Sequence, residues 1–535
     1  MAELPTDAAD TAPDDRHGRS QAVHAALLFA TLTIAVCGLI YELIAGTLSS
    51  YLLGDSVYQF SLVIGVFMAA MGLGAWLSRF FHEHLADAFV GVQLTLAVIG
   101  GSSAPLLFFS YVALDNYQAM LLMVLVTTGT LVGLEIPLVL RILREHHSLR
   151  VNVSNVLSLD YAGALIAALL FPLVLVPQLG LMRTSLLFGF LNAAVAALAA
   201  YVFAPYLAKR RNISIAVATV LIGLAVSFFA VERFEKIMES RLYSGEVILS
   251  ESTRYQRLVL TRRSGVTNFF INGGLQFSSI DEHRYHEALV HPAMGAAERR
   301  EHILIIGGGD GLAAREVLKY ADVRTLTLVD LDARITQLFS EHPDLRTLNA
   351  ASLTDNRVNV VNDDAAQFLS ASESLYDVII IDLPDPHDIA LSRLYTRHFY
   401  TMVSARLSAG GIVVTQATSP YYAREAFWSI ERTLSTTPVH AVDGTSKNLD
   451  ATLQTHPYHA YVPTFGDWGF VLAGRRRPQW TPALLPKGLR FLDSVTFTSL
   501  DKFAPDISKI DVEANTLHTH QLARYYETGW SRWYR

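Results

Sequence analysis

A single cysteine, Cys37, stands among 535 residues. No disulfide can form within the chain, no cysteine-based metal site can be assembled, and the redox compartment stays unread. Positive charge is also in short supply, with 42 Lys and Arg against 49 Asp and Glu and a formal net charge of −7. That balance leaves no polybasic footprint for nucleic acid and suits, weakly, a small cationic partner. A third scarcity is regional: from about residue 22 to 231 charge almost disappears. The whole-chain figures, 51% hydrophobic and 17% charged with a mean hydropathy of +0.31, therefore average a greasy part and a watery one. A chain this long exceeds one core, so at least two domains are expected.

Residues 1–20 are polar and read as a disordered tail; no small-residue pattern marks a cleaved signal. Apolar runs then recur at roughly 22–53, 57–78, 89–114, 116–140, 157–180, 184–205 and 212–231. Each has about the ~20 residues that a helix needs to cross ~30 Å of hydrocarbon, which predicts a transmembrane helical domain of about seven spans over 21–235. A soluble bundle would instead show a polar face on each helix. Arg16 and Arg19 before the first span, Arg79 after the second, Arg141, Arg144 and Arg150 after the fourth, and Lys209, Arg210 and Arg211 after the sixth put the N-terminus in the cytoplasm; the other loops carry only Arg183. Seven spans then leave the C-terminal half outside, whereas Arg233, Lys236 and Arg241 after the last span favour inside. The expected location is the cell (inner) membrane, with the side of the soluble half open. Glu42, Glu135 and Asp160 lie within or beside spans. An intramembrane acid is a functional candidate, and the plainer reading pairs these with Arg79 or Arg141 or has them cap helix ends.

Past residue 240 the texture becomes strands, charged loops and turns. Residues 245–279 read as a small antiparallel sheet, the core of a subdomain over 240–300. His302–Ile306 is a short buried strand that runs into Gly307-Gly308-Gly309-Asp310-Gly311 and then a helix, Leu312 to Tyr320. Strand, glycine loop and helix open a doubly wound nucleotide fold, expected here over 301–475. Strands follow at 325–329, 358–361, 376–381 and 411–415, the first three ending at Asp330, near Asp363-Asp364 and at Asp382. Ligands in such sheets sit beyond the carboxyl ends of the strands, so four acids in succession line a pocket. Gly307 and Gly309 let backbone approach a ligand, and Asp310 stands at the loop's mouth. Asp330, 20 residues after Asp310, is at the distance where an acid accepts from ribose hydroxyls, and Asp364 is placed for an adenine amino group.

The glycine loop with Asp310, the run Asp382-Leu383-Pro384-Asp385-Pro386, and the upstream Gln276 and Asp281-Glu282-His283-Arg284-Tyr285-His286-Glu287 resemble the polyamine aminopropyltransferase (spermidine synthase) family. Its paired-acid motif is D-x-x-D-P, its upstream block is Q-x4-DE-x2-Y-H-E, and Tyr255-Gln256 matches its tyrosine–glutamine pair. The likeness covers about 245–475, and the spans resemble the family's multi-pass membrane subgroup; 476–535 is a C-terminal extension outside it. The resemblance implies a Rossmann-like, class I methyltransferase-type fold and a reaction in which an amine attacks the aminopropyl carbon of decarboxylated S-adenosylmethionine. That sulfonium is a co-substrate; no permanently bound cofactor or metal is implied. Asp382 is the expected base. Asp310 would hold the aminopropyl ammonium, and Gln276, His286 and Asp385 would serve the polyamine. Gln256, Asp330, Asp364 and Ala365, with Gly307 and Gly309, would contact the nucleoside. The acceptor is expected to be a diamine such as putrescine, the partners the lipid bilayer and a second copy or three more of the same chain.

Departures are local: Asp330 replaces a usual Glu, Asp364-Ala365 a usual D-G, Asn272 a frequent Asp, and Phe465 a substrate-contacting Tyr. Asp281 and Glu282 read equally as caps of the following helix, Asp385 also as a brace for the turn at Pro386, and the tryptophans as packing. Two other functions stay open: a methyltransferase on the same fold, which would need neither Asp310 nor D-x-x-D-P, and a membrane transporter or sensor that binds polyamine without turnover.

Overall fold

The computed structural model describes residues 15–53, 56–114, 116–143, 149–204, 207–208, 210–243, 245–439 and 451–533. The chain divides into two compact units, Met1–Ser244 and Gly245–Arg535.

The first unit is helical: α1 (Asp15–Leu53), α2 (Ser56–Leu77), α3 (Leu85–Gly101), α4 (Ser103–Ala113), α5 (Tyr117–Leu143), α6 (Leu149–Leu170), α7 (Val176–Val202) and α8 (Arg210–Leu242). Helix α1 starts inside the segment expected as a tail; residues 1–14, Arg144 and Lys209 lie outside the described residues. Five helical stretches are long and apolar enough to cross a membrane, or six when α3 and α4, bent by 41°, count as one. One stretch, Arg150–Val202, has 53 residues, roughly 80 Å at 1.5 Å per residue. Gly180, at φ 72° and ψ 173°, interrupts it, so the expected runs 157–180 and 184–205 meet at a glycine and not across a loop. A side chain at that backbone conformation would be strained. Contacts gather at two ends of the bundle. At one, Arg141 Nη1 donates to the carbonyls of Ser78 and Phe81 at 2.8 and 3.0 Å and Ala208 N donates to Asp87 at 3.3 Å. At the other, Ser49 pairs with Tyr117 at 2.8 Å and Arg183 with Glu232 at 3.2 Å.

These contacts correct the expected ion pairs. Arg141 serves carbonyls and Arg79 lies over the rings of Trp76 and Phe80. Buried Glu135 accepts from Gln93 at 2.6 Å.

The second unit carries two sheets. β1 (Glu246–Ser252), β2 (Arg257–Arg263), β3 (Val266–Ile271) and β4 (Gly274–Ser278) form an antiparallel sheet in sequence order, followed by α9 (Glu282–Ala296). Then come β5 (His302–Gly307), α10 (Leu312–Val317), β6 (Thr325–Asp330), α11 (Ala333–Glu341), α12 (Pro343–Leu348), β7 (Val358–Asn362), α13 (Ala365–Ala371), β8 (Tyr376–Asp382), α14 (Ile389–Ser392), α15 (Arg397–Ala405) and β9 (Leu407–Gln416). After α16 (Arg424–Ser435), β10 (Gln454–Val462) and β11 (Gly466–Gly474) complete a sheet of order β10-β11-β9-β8-β5-β6-β7, in which β5 to β9 run parallel. The chain closes with α17 (Ser494–Ser499) and α18 (Gln521–Trp530).

The central parallel strands β5 and β8 are buried on both faces, which is why they read as nearly unbroken Ile/Val/Leu runs. Ile303, Ile305, Val378 and Ile380 face one core, with α9 and the small sheet's Leu258, Leu260, Phe269 and Phe277; Leu304, Ile306, Ile379 and Ile381 face the other, with α15 and α16. The small sheet thus shares its core with the large one. The C-terminal extension joins both cores, through Leu492 and Leu500 on one face and Leu522 on the other.

Candidate active site

Strands β5 and β8 are parallel neighbours with Gly307 opposite Asp382, so the glycine loop and the D-x-x-D-P turn begin side by side. Gly308 N donates to Asp382 O at 3.0 Å. A Cβ at Gly307 would fall 2.1 Å from that carbonyl, and the residue sits at φ 81°, so glycine is required twice over. Asp382 Oδ2 lies 3.1 Å from where a Cβ of Gly308 would be, placing the carboxylate over the loop. Its Oδ1 accepts from the Tyr285 hydroxyl at 2.7 Å. Asp310, next in the loop, accepts from Leu312 N at 2.9 Å, and Asn349 ties its carbonyl at 2.9 Å. Burial pushes the Asp310 carboxyl up to about 6, against the positive charge of His286 and with help from Asp382. Asp382 is raised too, by burial first, with His286 and Tyr285 opposing. The two acids feel each other and one shared cation, so they belong to one cluster.

Helix α9 supplies that cation. Burial alone would lower the pKa of His286, but its Nδ1 meets Glu282 Oε2 at 2.9 Å and Glu282 O at 2.8 Å, and the carboxylate with Asp310 and Asp382 raises it to about 9. Glu282 is held down to about 2, despite its burial, by His286 and by Arg315, which reaches both its oxygens at 3.0 and 2.9 Å. Neither acid at the helix start caps it. Asp281 takes Thr464 N and Oγ1 at 2.8 and 3.0 Å, joining α9 to the β10–β11 turn. Glu287, 1% exposed, accepts from the backbone N–H groups of Arg490, Phe491 and Leu492 at 2.8, 2.9 and 2.9 Å. Three consecutive motif residues thus serve three ends: Tyr285 meets Asp382, His286 is the cation, and Glu287 holds the C-terminal extension.

Among the residues expected to contact the nucleoside, Asp330 Oδ2 accepts from Gly309 N at 3.0 Å and Oδ1 from Asp332 N at 2.9 Å, while burial lifts it to about 6. Gln256 Nε2 does not reach Asp330; it donates to Asp332 Oδ2 at 3.1 Å, which also takes Thr253 at 2.7 Å. Asp332, 3% exposed, was not among the expected residues. It lies two residues past the strand-end acid Asp330 and also caps α11. Asp364 caps α13 by accepting from Ala366 and Gln367 N–H at 2.9 and 3.2 Å, and Arg393 pairs with it at 2.7 Å. Ala365 opens that helix. Gln276 donates to Gly274 O at 3.1 Å within its own hairpin, a contact outside the acid cluster. Tyr255 is 40% exposed under the Arg254 guanidinium.

A Cβ at Gly309 would come 2.6 Å from Asp330 Oδ2. Gly309→Ala is therefore expected to displace Asp330 and weaken nucleoside binding by about 10-fold or more, on the order of one lost charge-assisted hydrogen bond. Titration with methylthioadenosine would show it.

Beyond Asp382, the turn is braced from β9. Gln416 Nε2 donates to Leu383 O at 2.9 Å and to the Tyr395 hydroxyl at 2.6 Å, and Tyr395 donates to Pro384 O at 3.0 Å. Asp385 Oδ2 accepts from Thr418 at 3.3 Å, so Asp385 is held by a brace rather than serving as one. Phe465 packs edge-on to Tyr285, centroids 6.1 Å apart, and against Trp468 at 5.0 Å. Tyr285, Tyr395, Gln416 and Thr418 were missed as site residues. Only Tyr285, inside the Y-H-E run, carried a sequence signal.

Comparison with known proteins agrees with this geometry. The spermine/spermidine synthase domain family matches residues 282–475. Polyamine aminopropyltransferase of Leptospira interrogans is 43% identical over 507 residues, 95% of this chain and 99% of that one. Polyamine aminopropyltransferase 2 of Ralstonia nicotianae is 44% identical over 515 residues, 95% and 98% of the two chains. Among solved structures, spermidine synthase from Thermotoga maritima is 24% identical with a TM-score of 0.42, over 48% of this chain and 84% of that one. With relatives this similar matched along nearly the whole of both chains, this chain belongs to the polyamine aminopropyltransferase family and is an enzyme of that kind.

Proposed function

We propose that this enzyme moves the aminopropyl group of decarboxylated S-adenosylmethionine to putrescine, giving spermidine and 5'-methylthioadenosine, and that it does so as a multi-pass protein of the cell membrane. The observation that supports the reaction best is Asp382 beside Asp310 over the glycine loop. An amine with a pKa near 10.4 arrives as an ammonium and must lose a proton before its lone pair can attack. Asp382, with Oδ1 held by Tyr285, takes that proton. The new C–N bond forms at the aminopropyl carbon as the C–S bond breaks, and its electron pair neutralises the sulfonium as methylthioadenosine. Asp310 holds the donor's ammonium and Asp385 the far ammonium of the acceptor. Asp330 serves the ribose, with Gln256 beside it through Asp332. His286, raised to about 9, is an imidazolium near neutral pH. A cation there repels an ammonium, so its task is to keep the surrounding carboxylates ionised and not to grip the polyamine. Fixing both substrates supplies much of the rate, because the sulfonium is already a good leaving group.

Membrane attachment is supported by the five apolar helical stretches of the first unit and by the few charges among them. The reaction is tested by incubating the purified full chain with decarboxylated S-adenosylmethionine and a diamine series. Methylthioadenosine release fastest with putrescine is expected; none with any diamine rejects the reading. For the membrane, Arg476→Cys in a Cys37→Ser background, in whole cells, reports the side of the catalytic half by its reaction with an impermeant thiol reagent. Recovery of the chain in the soluble fraction rejects membrane attachment.

The acids also set a pH dependence. Asp310 and Asp385 are pushed up to about 6 by burial. Each loses its attraction for an ammonium as pH falls through that value, while the diamine stays doubly charged. KM for the diamine, through Asp385, and KM for decarboxylated S-adenosylmethionine, through Asp310, are therefore each expected to rise as pH drops from 7 to 5, roughly 10-fold per pH unit below about 6. A flat KM would contradict this assignment.

A further inference from the structure

The acceptor's far end meets a part of the chain outside the matched domain. Asp385 Oδ1 is buried and, among the described residues, makes no close hydrogen bond, while Oδ2 takes Thr418. Over the same carboxyl stands Tyr526 of α18, whose hydroxyl holds the acid's proton affinity down against the larger effect of burial. The Tyr526 ring lies 6.5 Å from that of His387, two residues past Asp385, and 5.9 Å from that of Trp530.

Helix α18 is firmly seated. Leu522 is fully buried in the core beneath α16. Gly529 abuts Ala423, where a Cβ would come within 2.7 Å, and Trp530 stacks on Tyr422 with centroids 4.9 Å apart. Ahead of the helix, fully buried Asn515 donates to Ser392 O at 2.9 Å and Tyr395 O at 3.3 Å and accepts from Leu522 N at 3.3 Å. The segment that follows Asp385 and the helix carrying Tyr526 are thus clamped to one another.

We infer that Tyr526 and helix α18 form the wall of the acceptor site at its far end, with the Tyr526 hydroxyl and Asp385 together receiving the distal ammonium and setting the length of diamine that fits. A buried carboxylate with a hydroxyl beside it offers acceptor lone pairs to one alkylammonium. A rigid wall turns that receptor into a ruler, because an acceptor one methylene too long or short loses either the far contact or the in-line approach at Asp382.

This inference rests on the diamine reading above, and one experiment separates the two. Tyr526→Phe and Tyr526→Ala in the full chain are assayed with 1,3-diaminopropane, putrescine, cadaverine and spermidine, following methylthioadenosine. Tyr526→Phe keeps the ring packing and removes only the hydroxyl. It is expected to raise KM for the preferred diamine by about 10-fold, the scale of one hydrogen bond to a charged group, with kcat and the KM for decarboxylated S-adenosylmethionine nearly unchanged. Tyr526→Ala is expected to shift preference toward the longer amines. If wild type turns over no diamine, the diamine reading falls and this inference with it. If wild type is active and Tyr526→Phe leaves the diamine KM and the length order intact, or raises both substrates' KM alike, only the assignment of Tyr526 falls.

Discussion

Asp382→Asn is expected to lower kcat by about 10²–10⁴-fold, the range a positioned general base contributes, while methylthioadenosine still binds. The substitution is close to isosteric, and the amide oxygen can still accept from Tyr285, so the turn and the glycine loop that leans on Asp382 O keep their places. What disappears is the anion proposed to take the proton. Single-turnover release of methylthioadenosine, measured beside equilibrium binding of the same nucleoside, checks both halves. Full turnover in the variant would remove Asp382 from the chemistry; loss of binding along with rate would make it a structural residue of the loop.

Glu287→Ala should produce the largest loss of stability. The side chain is buried and satisfies three successive backbone N–H groups at 490–492. Removing it strands those donors, at about 1–3 kcal/mol for each buried group left without a partner, and part is recovered if the strand moves out to water. A net cost of about 3–5 kcal/mol is expected, comparable to breaking a buried charged pair. Because the contact joins α9 to the C-terminal extension, the cut chain should show where the loss falls. Limited proteolysis is expected to cleave within 476–493 first, and Glu287→Gln, which keeps an acceptor, should restore part of the melting temperature. Unchanged melting and an uncut extension would show that the three bonds contribute little.

Much of the fold was legible in local patterns. The apolar runs of 22–231 are helical, as hydrophobicity sustained over about 20 residues predicts. Each expected strand of the parallel sheet is present, with ends shifted by a few residues, as at β9, which begins at Leu407 and not at Gly411. The antiparallel pair β10 and β11 was not read; in β10, His456, Pro457 and His459 interrupt the apolar alternation that marks a strand. Within the site, the strand-end acids were visible because glycine loops and D-x-x-D-P have fixed spacing. Their partners were not. Glu282 looked like a helix cap until Arg315 and His286 were found on either side of it, and Gln256 went to Asp332 instead of Asp330.

The amino-acid sequence by itself determined that this chain has an apolar helical half, a nucleotide-type α/β half, and acids at successive strand ends over a glycine loop. Those features depend on periodicity and on neighbours within a few positions. Only the tertiary structure decided which partners each acid meets, since those partners are brought together across the fold: Tyr285 on Asp382 from 97 residues away, Glu287 on a segment 203 to 205 residues further on, and Tyr526 over Asp385. Burial and charge at such contacts have no local sequence signature, because they belong to the space between elements and not to any one of them.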